Sequence, residues 1–202
     1  MTYAYAIRLQ RDVAKRVVFT KDDFRQIKHI CGVDVAYRGD AAYCSAVVMD
    51  AKMQQVVESV YSQTIVKHRY VPGLLMLREA PPIFHTLKLL KNNYDLLLVD
   101  GHGLLHPRKC GLACYIGVTL DKPTIGIAKS LLCGTVRPDG FIELDGEILG
   151  YAISKKLYVS VGHRITLKTA IALVKELGTG PLRLADINSK EKRKKWRLDS
   201  AE

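Results

Sequence analysis

Two aspartates interrupt or end strongly apolar segments of this 202-residue chain. Asp34 lies inside ICGVDVAY, and Asp100 ends LLLVD. A carboxylate beside buried strands is costly to desolvate unless it is paired or binds a metal ion. If the two strands are neighbours, the like charges converge and need a cation between them, and such hard oxygen ligands suit Mg²⁺ or Mn²⁺. The pattern predicts a metal site, with an ordinary cap or turn role for each acid as the alternative.

Two further acids are candidates for the same centre. Glu79 follows a loop and precedes Pro81 and Pro82. Its alternative role is structural, because a negative charge near the start of a helix is favoured by the helix dipole. Asp186 lies in RLADINS of a predicted C-terminal helix, where a salt bridge to a basic neighbour is the alternative. The residue types alone leave both roles open.

A glycine- and histidine-rich loop directly follows Asp100, and a lysine ends a later apolar segment. The loop, GHGLLHPRKCG, contains Gly101, Gly103 and His106. Glycines let a ligand approach the backbone, and histidine or basic side chains can contact phosphate. Lys129 ends IGIAK, where it could neutralise a phosphate or an attacking hydroxide. The alternatives are a structural surface loop and a solvated lysine at a strand end.

A scaffold of strands and helices must bring these residues together. Segments with the composition of β-strands or of a β-hairpin lie at 30–37, 43–50, 52–63, 94–101, 122–129, 138–154 and 158–163. Helices are predicted over 81–93, 110–121, 165–178 and 181–198. Three strands followed by alternating helices and strands predict an α/β fold with a mixed sheet flanked by helices, in a single domain spanning 1–202.

The composition restricts the class of protein and of partner. With 48% hydrophobic residues the chain can form a core, which excludes a disordered protein. The net charge of +11 makes nucleic acid the first partner to consider, with a solubilising surface as the alternative. The basic run 190–197 is either a solvated tail or a backbone contact. Five cysteines and the absence of a signal peptide or membrane span predict a cytoplasmic protein with free thiols.

Five segments in order resemble the signature segments of the endonuclease V family, the deoxyinosine 3′ endonucleases. They are CGVDVAY, YVPGLLMLRE, LLLVDGHGLLHPRKCGLACYIGV, KPTIGIAKSLLCG and VGHRITLKTA. The resemblance runs from about residue 30 to residue 187, and the combination of DGHG-x-x-HPR with PTIGIAK is specific. The chain departs from the family pattern at Cys114-Tyr115, where Ser-His is usual.

The resemblance implies a ribonuclease H-like fold and a metal-dependent DNA repair nuclease. The expected reaction is hydrolysis, with Mg²⁺ or Mn²⁺, of the second phosphodiester bond 3′ to deoxyinosine in DNA. It leaves a 3′-hydroxyl and a 5′-phosphate and retains the lesion. By motif, Asp34, Glu79 and Asp100 resemble the family's metal-binding acids, and all three are expected to be catalytic. Lys129 resembles its catalytic lysine, and Asp186 occupies the position of its late acid.

The resemblance also implies how the lesion is recognised. Tyr70 of YVPG resembles the wedge that enters the duplex, with Pro72 and Gly73 fixing the loop behind it. Gly101, Gly103 and His106 resemble parts of the lesion pocket, where backbone N–H groups are expected to read the base. The protein is expected to be a monomer that binds DNA and no membrane.

The sequence leaves one alternative fully open and argues against two others. An inosine-specific endoribonuclease of the same fold would use the same acids on RNA. A non-catalytic basic nucleic-acid-binding protein would be expected to lack at least one acid, yet all are present. A ribonuclease H-like resolvase or transposase finds no support in the DGHG and YVPG segments.

Overall fold

The computed structural model describes residues 2–22 and 26–199, with side chains to residue 194. In these residues the strands are β1 (His29–Arg38), β2 (Ala41–Asp50), β3 (Val56–Ile65), β4 (Leu96–Asp100), β5 (Thr124–Ala128), β6 (Thr135–Val136), β7 (Phe141–Leu144), β8 (Glu147–Ser154) and β9 (Leu157–His163). The helices are α1 (Tyr3–Ala14), α2 (Met76–Leu87), α3 (Leu112–Leu120), α4 (Leu167–Leu177) and α5 (Gly180–Asp199). No helix in the described part of the chain is long and apolar enough to cross a membrane.

The described strands form one mixed sheet in the order β3-β2-β1-β4-β5-β9-β8-β7-β6. Strands β1, β4 and β5 run parallel to one another, and the remaining pairs are antiparallel. The apolar strands β4 and β5 lie inside the sheet, where helices cover both faces, and this is why their sequences do not alternate. The fold confirms the predicted α/β class with a mixed sheet flanked by helices.

Alternate residues of the central strands pack into two clusters on opposite faces of the sheet. Leu96 and Leu98 of β4 lie in the cluster that contains Ala170 and Val174 of α4. Leu97 of β4 instead lies in the cluster that contains residues of α2 and α3. Because side chains alternate along a strand, Asp100 points to the same face as Leu96 and Leu98.

Helix α5 contacts β1 very closely at its first turn. A Cβ atom on Gly32 would lie 2.2 Å from the backbone nitrogen of Leu182. Only glycine leaves space for this crossing, since such a distance is far below van der Waals contact. The crossing directs the following turns of α5, including Asp186 and Ser189, along β1 toward Asp34.

Helix α1 was not predicted from the sequence. Its buried side chains are Ala6, Gln10 and Val13, one from each successive turn. The apolar residues of the segment do follow a helical period, but the polar and charged residues around them give it the composition of a polar terminus. The Thr2 hydroxyl caps the helix by accepting a hydrogen bond from the Tyr5 amide, at 3.4 Å.

The predicted start of α2 was wrong: the helix begins at Met76, five residues before Pro81. Proline inside a helix removes a backbone donor, so the carbonyl four residues earlier loses its partner. For Pro82 that carbonyl belongs to Arg78, and the Tyr37 hydroxyl donates to it at 3.3 Å. A tertiary contact therefore replaces the lost bond, and Glu79 lies within the first turn of the helix.

Candidate active site

The register of two parallel strands places Asp34 beside Asp100. Val33 of β1 pairs with Val99 of β4, so the next residue of each strand is one of the two acids. Together with Asp186 of α5 they form a compact acidic group, in which one carboxylate oxygen from each lies within 4.8 Å of the others. The sequence predicted the convergence of Asp34 with Asp100 and named Asp186 as a candidate for the same centre, and the structure brings all three together.

Two lysines hold the Asp186 carboxylate in this group. Lys129, directly after β5, donates to Asp100 and to Asp186, each at 2.8 Å. Lys190, one helical turn after Asp186, donates to both of its oxygens at 2.7 Å. Burial disfavours the charge of Asp186, but the hydrogen bonds from the two lysines outweigh it and lower its pKa. Asp186 is therefore an anion at neutral pH.

Asp34 is 8% exposed, and the groups around it shift its pKa in opposite directions. Burial, followed by the charge of Asp100, raises the pKa of Asp34 to about 6. The Ser189 hydroxyl donates to Asp34 Oδ2 at 2.8 Å and acts in the other direction, lowering the pKa. Ser189 was not singled out from the sequence, because a serine in a polar helix carries no motif.

Glu79 approaches the acids from α2. It lies outside the compact group of three, but the charges of Asp34 and Asp100 act on it. Burial comes first among the causes that raise the pKa of Glu79 well above its usual value, and these two carboxylates come next. Glu79 therefore faces the same centre from the opposite layer of helices.

The donor chemistry of this centre fits a divalent cation. Its acidic side chains offer only carboxylate oxygens, which Mg²⁺ and Mn²⁺ prefer. Burial is the main cause that raises the pKa values of Asp34 and Glu79, and the charges of the neighbouring carboxylates add to it. A cation between the carboxylates would remove the part that comes from repulsion.

A cleft of about 630 Å³ opens above the acids. The predicted site residues that line it are Asp34, Tyr70, Gly73, Glu79, Asp100, Gly101, His106, Lys129 and Asp186. Lys190 and Arg193 of α5 also line it and were not predicted individually. They belong to the basic run 190–197, in which the side chains from residue 195 onward lie outside those described. At least this part of the run faces the cleft.

Tyr70 lies at the cleft with 62% of its surface exposed. The backbone turns just after it, where the Leu74 amide donates to the Val71 carbonyl at 2.9 Å. Gly73 adopts a φ of +75°, in the left-handed region that favours glycine. Pro72 belongs to this turn but does not line the cleft.

His106 is a neutral histidine whose tautomer follows from its neighbours. Its Nδ1 accepts from the Arg108 amide at 3.2 Å, so Nε2 carries the hydrogen and donates to the Gly73 carbonyl at 3.1 Å. Burial, with the charge of Arg108 second, lowers the pKa of His106 to about 4. Its ring connects the loop after Asp100 to the turn that follows Tyr70.

The backbone amides of Gly101 and Gly103 are already bonded within the protein. The Gly101 amide donates to the Ile127 carbonyl, and the Gly103 amide donates to the Ser160 hydroxyl, each at 2.8 Å. These two N–H groups are therefore not free to read a base, and the expected reading by backbone N–H groups near Gly101 stays a prediction for the other amides of the loop. Gly103 does not line the cleft, and a Cβ atom there would lie 1.9 Å from the Val161 carbonyl oxygen. Its role in this structure is close packing against β9.

Comparisons with known proteins agree on one family. The sequence model of the Endonuclease V family matches residues 11–187. The endonuclease V of Thermofilum pendens is 42% identical over 190 residues, which cover 90% of this chain and 82% of that protein. That of Sulfolobus acidocaldarius is 39% identical over 191 residues, covering 93% and 94%.

Solved structures give the same result. The endonuclease V of Streptomyces avermitilis superposes with a TM-score of 0.89 at 31% identity, covering 97% of this chain and 95% of that one. Endonuclease V of Ciona intestinalis, solved in complex with a 24mer DNA containing an inosine followed by a ribo-adenosine, superposes with a TM-score of 0.84 at 25% identity. It covers 95% of this chain and 98% of that one. The chain therefore belongs to the endonuclease V family of nucleases.

Proposed function

We propose that this protein is a metal-dependent endonuclease that hydrolyses the second phosphodiester bond 3′ to deoxyinosine in DNA. The observation that carries the proposal is the convergence of Asp34, Asp100 and Asp186 in a cleft that also presents the exposed ring of Tyr70. The inosine-containing DNA bound to the Ciona relative supports the choice of substrate. A cut that leaves the lesion in place would mark deaminated adenine for repair.

The acidic centre would hold Mg²⁺, or Mn²⁺ in its place. Asp34 and Asp100 would be the central ligands, with Glu79 and Asp186 beside them. When bound, the divalent cation stabilises negative charge on a phosphate and lowers the pKa of a coordinated water. The low pKa of Asp186 and the hydrogen bond from Ser189 to Asp34 keep carboxylate oxygens available as ligands.

Lys129 would place a positive charge next to the reacting phosphate. Burial disfavours its charge, but hydrogen bonds to Asp100 and Asp186 outweigh this and raise the pKa of Lys129. The ammonium group is therefore charged throughout the neutral range, and it remains accessible from the cleft. A fixed positive charge where negative charge develops lowers the barrier to phosphodiester hydrolysis.

Tyr70 would stabilise a duplex from which the lesion has been flipped. A deoxyinosine pair is weaker than a sound pair, so extruding that nucleotide costs less, on the order of a few kcal/mol. An exposed aromatic ring on a constrained turn can fill the vacated stack. The flipped base would enter the cleft near His106.

A second candidate substrate is inosine-containing RNA. The nucleic acid bound to the Ciona relative carries a ribo-adenosine after the inosine, which favours a site that accepts a 2′-hydroxyl at that position. The same acids and the same lysine would serve on either backbone.

The test is nicking of a duplex with one deoxyinosine, with the cut mapped to one nucleotide, in Mg²⁺ and in EDTA. We expect a Mg²⁺-dependent cut at the second bond 3′ to the lesion, with a 5′-phosphate on the downstream fragment. Single-stranded RNA with one inosine, assayed in parallel, decides the preferred backbone. A cut at another bond, full activity in EDTA, or equal cutting of undamaged DNA would contradict the proposal.

A further inference from the structure

We propose that Gln10 is a positioning residue for lesion recognition, which fixes the turn behind Tyr70 against the loop that follows Asp100. Gln10 lies on the inner side of α1 and is 1% exposed. The inference rests on the proposed function, because the role of Tyr70 is assigned there. Gln10 is distant in sequence from every motif on which that function depends.

The side-chain amide of Gln10 connects three separate segments. Its nitrogen donates to the carbonyl of Gly73 at 3.0 Å and to the carbonyl of Cys110 at 2.9 Å. Its oxygen accepts from Arg108 Nε at 2.7 Å. Arginine can only donate, so the amide oxygen must face Arg108 and the amide nitrogen must face the two carbonyls.

The Gly73 carbonyl is the centre of this contact. Besides Gln10, it accepts from His106 Nε2 at 3.1 Å and from Arg108 Nη2 at 2.6 Å. A carbonyl oxygen has two lone pairs, and this one accepts from three donors. The three bonds are therefore more than a buried carbonyl needs for its own hydrogen bonding. The arrangement fixes the position of this peptide group.

Packing alone does not explain a glutamine at this position. Its buried neighbours on α1 are Ala6 and Val13, and an apolar residue between them would fill the same space without the cost of desolvating an amide. A glutamate could accept from Arg108, but it would place negative charge against two carbonyl oxygens. Only an amide combines the acceptor with the two donors.

Fixing Gly73 has a direct effect on Tyr70. The Tyr70 side chain is mostly exposed, so packing cannot hold it, and its placement depends on the backbone turn that begins just after it. A turn that is already fixed loses less conformational freedom when DNA binds. Gln10 therefore orders the recognition loop before the substrate arrives.

The test compares Gln10→Met with Thr86→Val. Methionine keeps the shape and removes all three hydrogen bonds. Thr86 is also fully buried, and it is bonded to Ser62 at 2.6 Å two turns after Glu79 in α2; neither residue lines the cleft. Thr86→Val thus controls for a general loss of stability. If Gln10→Met does not fold, Gln10→Glu, which keeps the contact with Arg108, is the test variant in its place.

The first measurement is trypsin cleavage after Arg69, which is exposed next to Tyr70, in the absence of DNA. The rate of such cleavage follows the population of the opened loop. We expect Gln10→Met to be cut roughly tenfold faster than Thr86→Val when each variant is assayed the same number of degrees below its own Tm. Equal rates would overturn the positioning role.

The second measurement is selectivity, the ratio of kcat/KM on the deoxyinosine duplex to that on the undamaged duplex. We expect Gln10→Met to lower this ratio roughly tenfold and Thr86→Val to leave it unchanged. An equal loss on both duplexes would also overturn the proposal. If the wild type shows no preference for deoxyinosine, the proposed function fails, while the trypsin measurement still decides whether Gln10 holds the loop.

Discussion

Burial and the like charge of Asp100 raise the pKa of Asp34, and the hydrogen bond from Ser189 lowers it. A carboxyl group with a pKa of about 6 is largely protonated below that pH, and a protonated oxygen is a poor ligand. Metal affinity of the free protein should therefore fall as the pH decreases through about 6. The polar residue that opposes this fall comes from the last helix and not from a signature segment.

Ser189→Ala removes the hydrogen bond that favours the Asp34 carboxylate, so the pKa of Asp34 should rise further. We expect the midpoint of the pH dependence of Mn²⁺ binding, measured by calorimetry without DNA, to move to higher pH. Ser62→Ala removes a buried hydroxyl remote from the acids and is the matched control. An unchanged midpoint in Ser189→Ala would show that Asp34 does not govern metal binding.

Asp34→Ala should reduce nicking of the deoxyinosine duplex below detection in Mg²⁺, because a central ligand is lost. Binding of the same duplex should persist, since Tyr70 and the basic residues of the cleft remain. The measurements are single-turnover nicking and fluorescence anisotropy. Asp12→Ala, which removes an exposed acid of α1, should behave as the wild type in both. Normal cutting by Asp34→Ala would contradict the metal assignment.

Among the elements, the loop that carries Tyr70, the proposed recognition residue, is hydrogen-bonded to the loop that follows Asp100. Its turn is held by residues of α1 and of the loop after β4. The same β4 ends in Asp100, so one short segment both supplies an acid and supports the recognition loop. Small movements of this segment would affect both functions.

Tyr70→Ala should lower the preference for deoxyinosine more than it lowers non-specific binding, because a stacking surface is lost while the basic contacts remain. Stacking is worth about 1–3 kcal/mol, which corresponds to roughly five- to 150-fold in selectivity. Affinities for inosine-containing and undamaged duplexes provide the measurement. Tyr3→Ala removes a similarly exposed tyrosine and should leave the ratio unchanged. Equal losses on both duplexes would contradict a wedge.

The same elements show what sequence reasoning finds and what it misses. Asp34 and Asp100 could be found because an acid contrasts with an apolar strand. Gln10 and Ser189 could not, because a polar residue in a polar helix gives no contrast, and its burial depends on where the helix packs. The start of α2 was missed because Tyr37, distant in sequence, provides the donor that Pro82 lacks.

At the scale of the whole molecule, the charge is distributed unevenly in a way that suits a polyanion. The chain carries a net charge of +11, yet the centre at its cleft is acidic. Lys190 and Arg193 line the cleft next to that centre. The basic surface can thus attract the nucleic-acid backbone, and the acids remain available for a cation.

Affinity for duplex DNA should therefore fall steeply with salt. A protein that neutralises about four phosphates loses roughly a hundredfold in affinity between about 50 and 200 mM salt. Anisotropy titrations on undamaged and deoxyinosine duplexes should give similar slopes, because the backbone contacts are shared. Salt-independent binding would show that the positive charge only aids solubility.

The fold class could be predicted because apolar strands and amphipathic helices alternate in a recognisable order. The close contact of α5 with β1 could not, since it depends on the space above Gly32, which no local pattern reveals. That contact decides which residues of α5 reach the acids.

The same crossing has a consequence for the timing of synthesis. The centre combines an acid from the first strand with residues from the last helix. A nascent chain whose α5 is still inside the ribosome holds Asp34 and Asp100 but lacks Asp186, Ser189 and Lys190. The complete group of acids can form only after α5 has emerged, so an unfinished chain lacks both Asp186 and the hydrogen bond from Ser189 to Asp34.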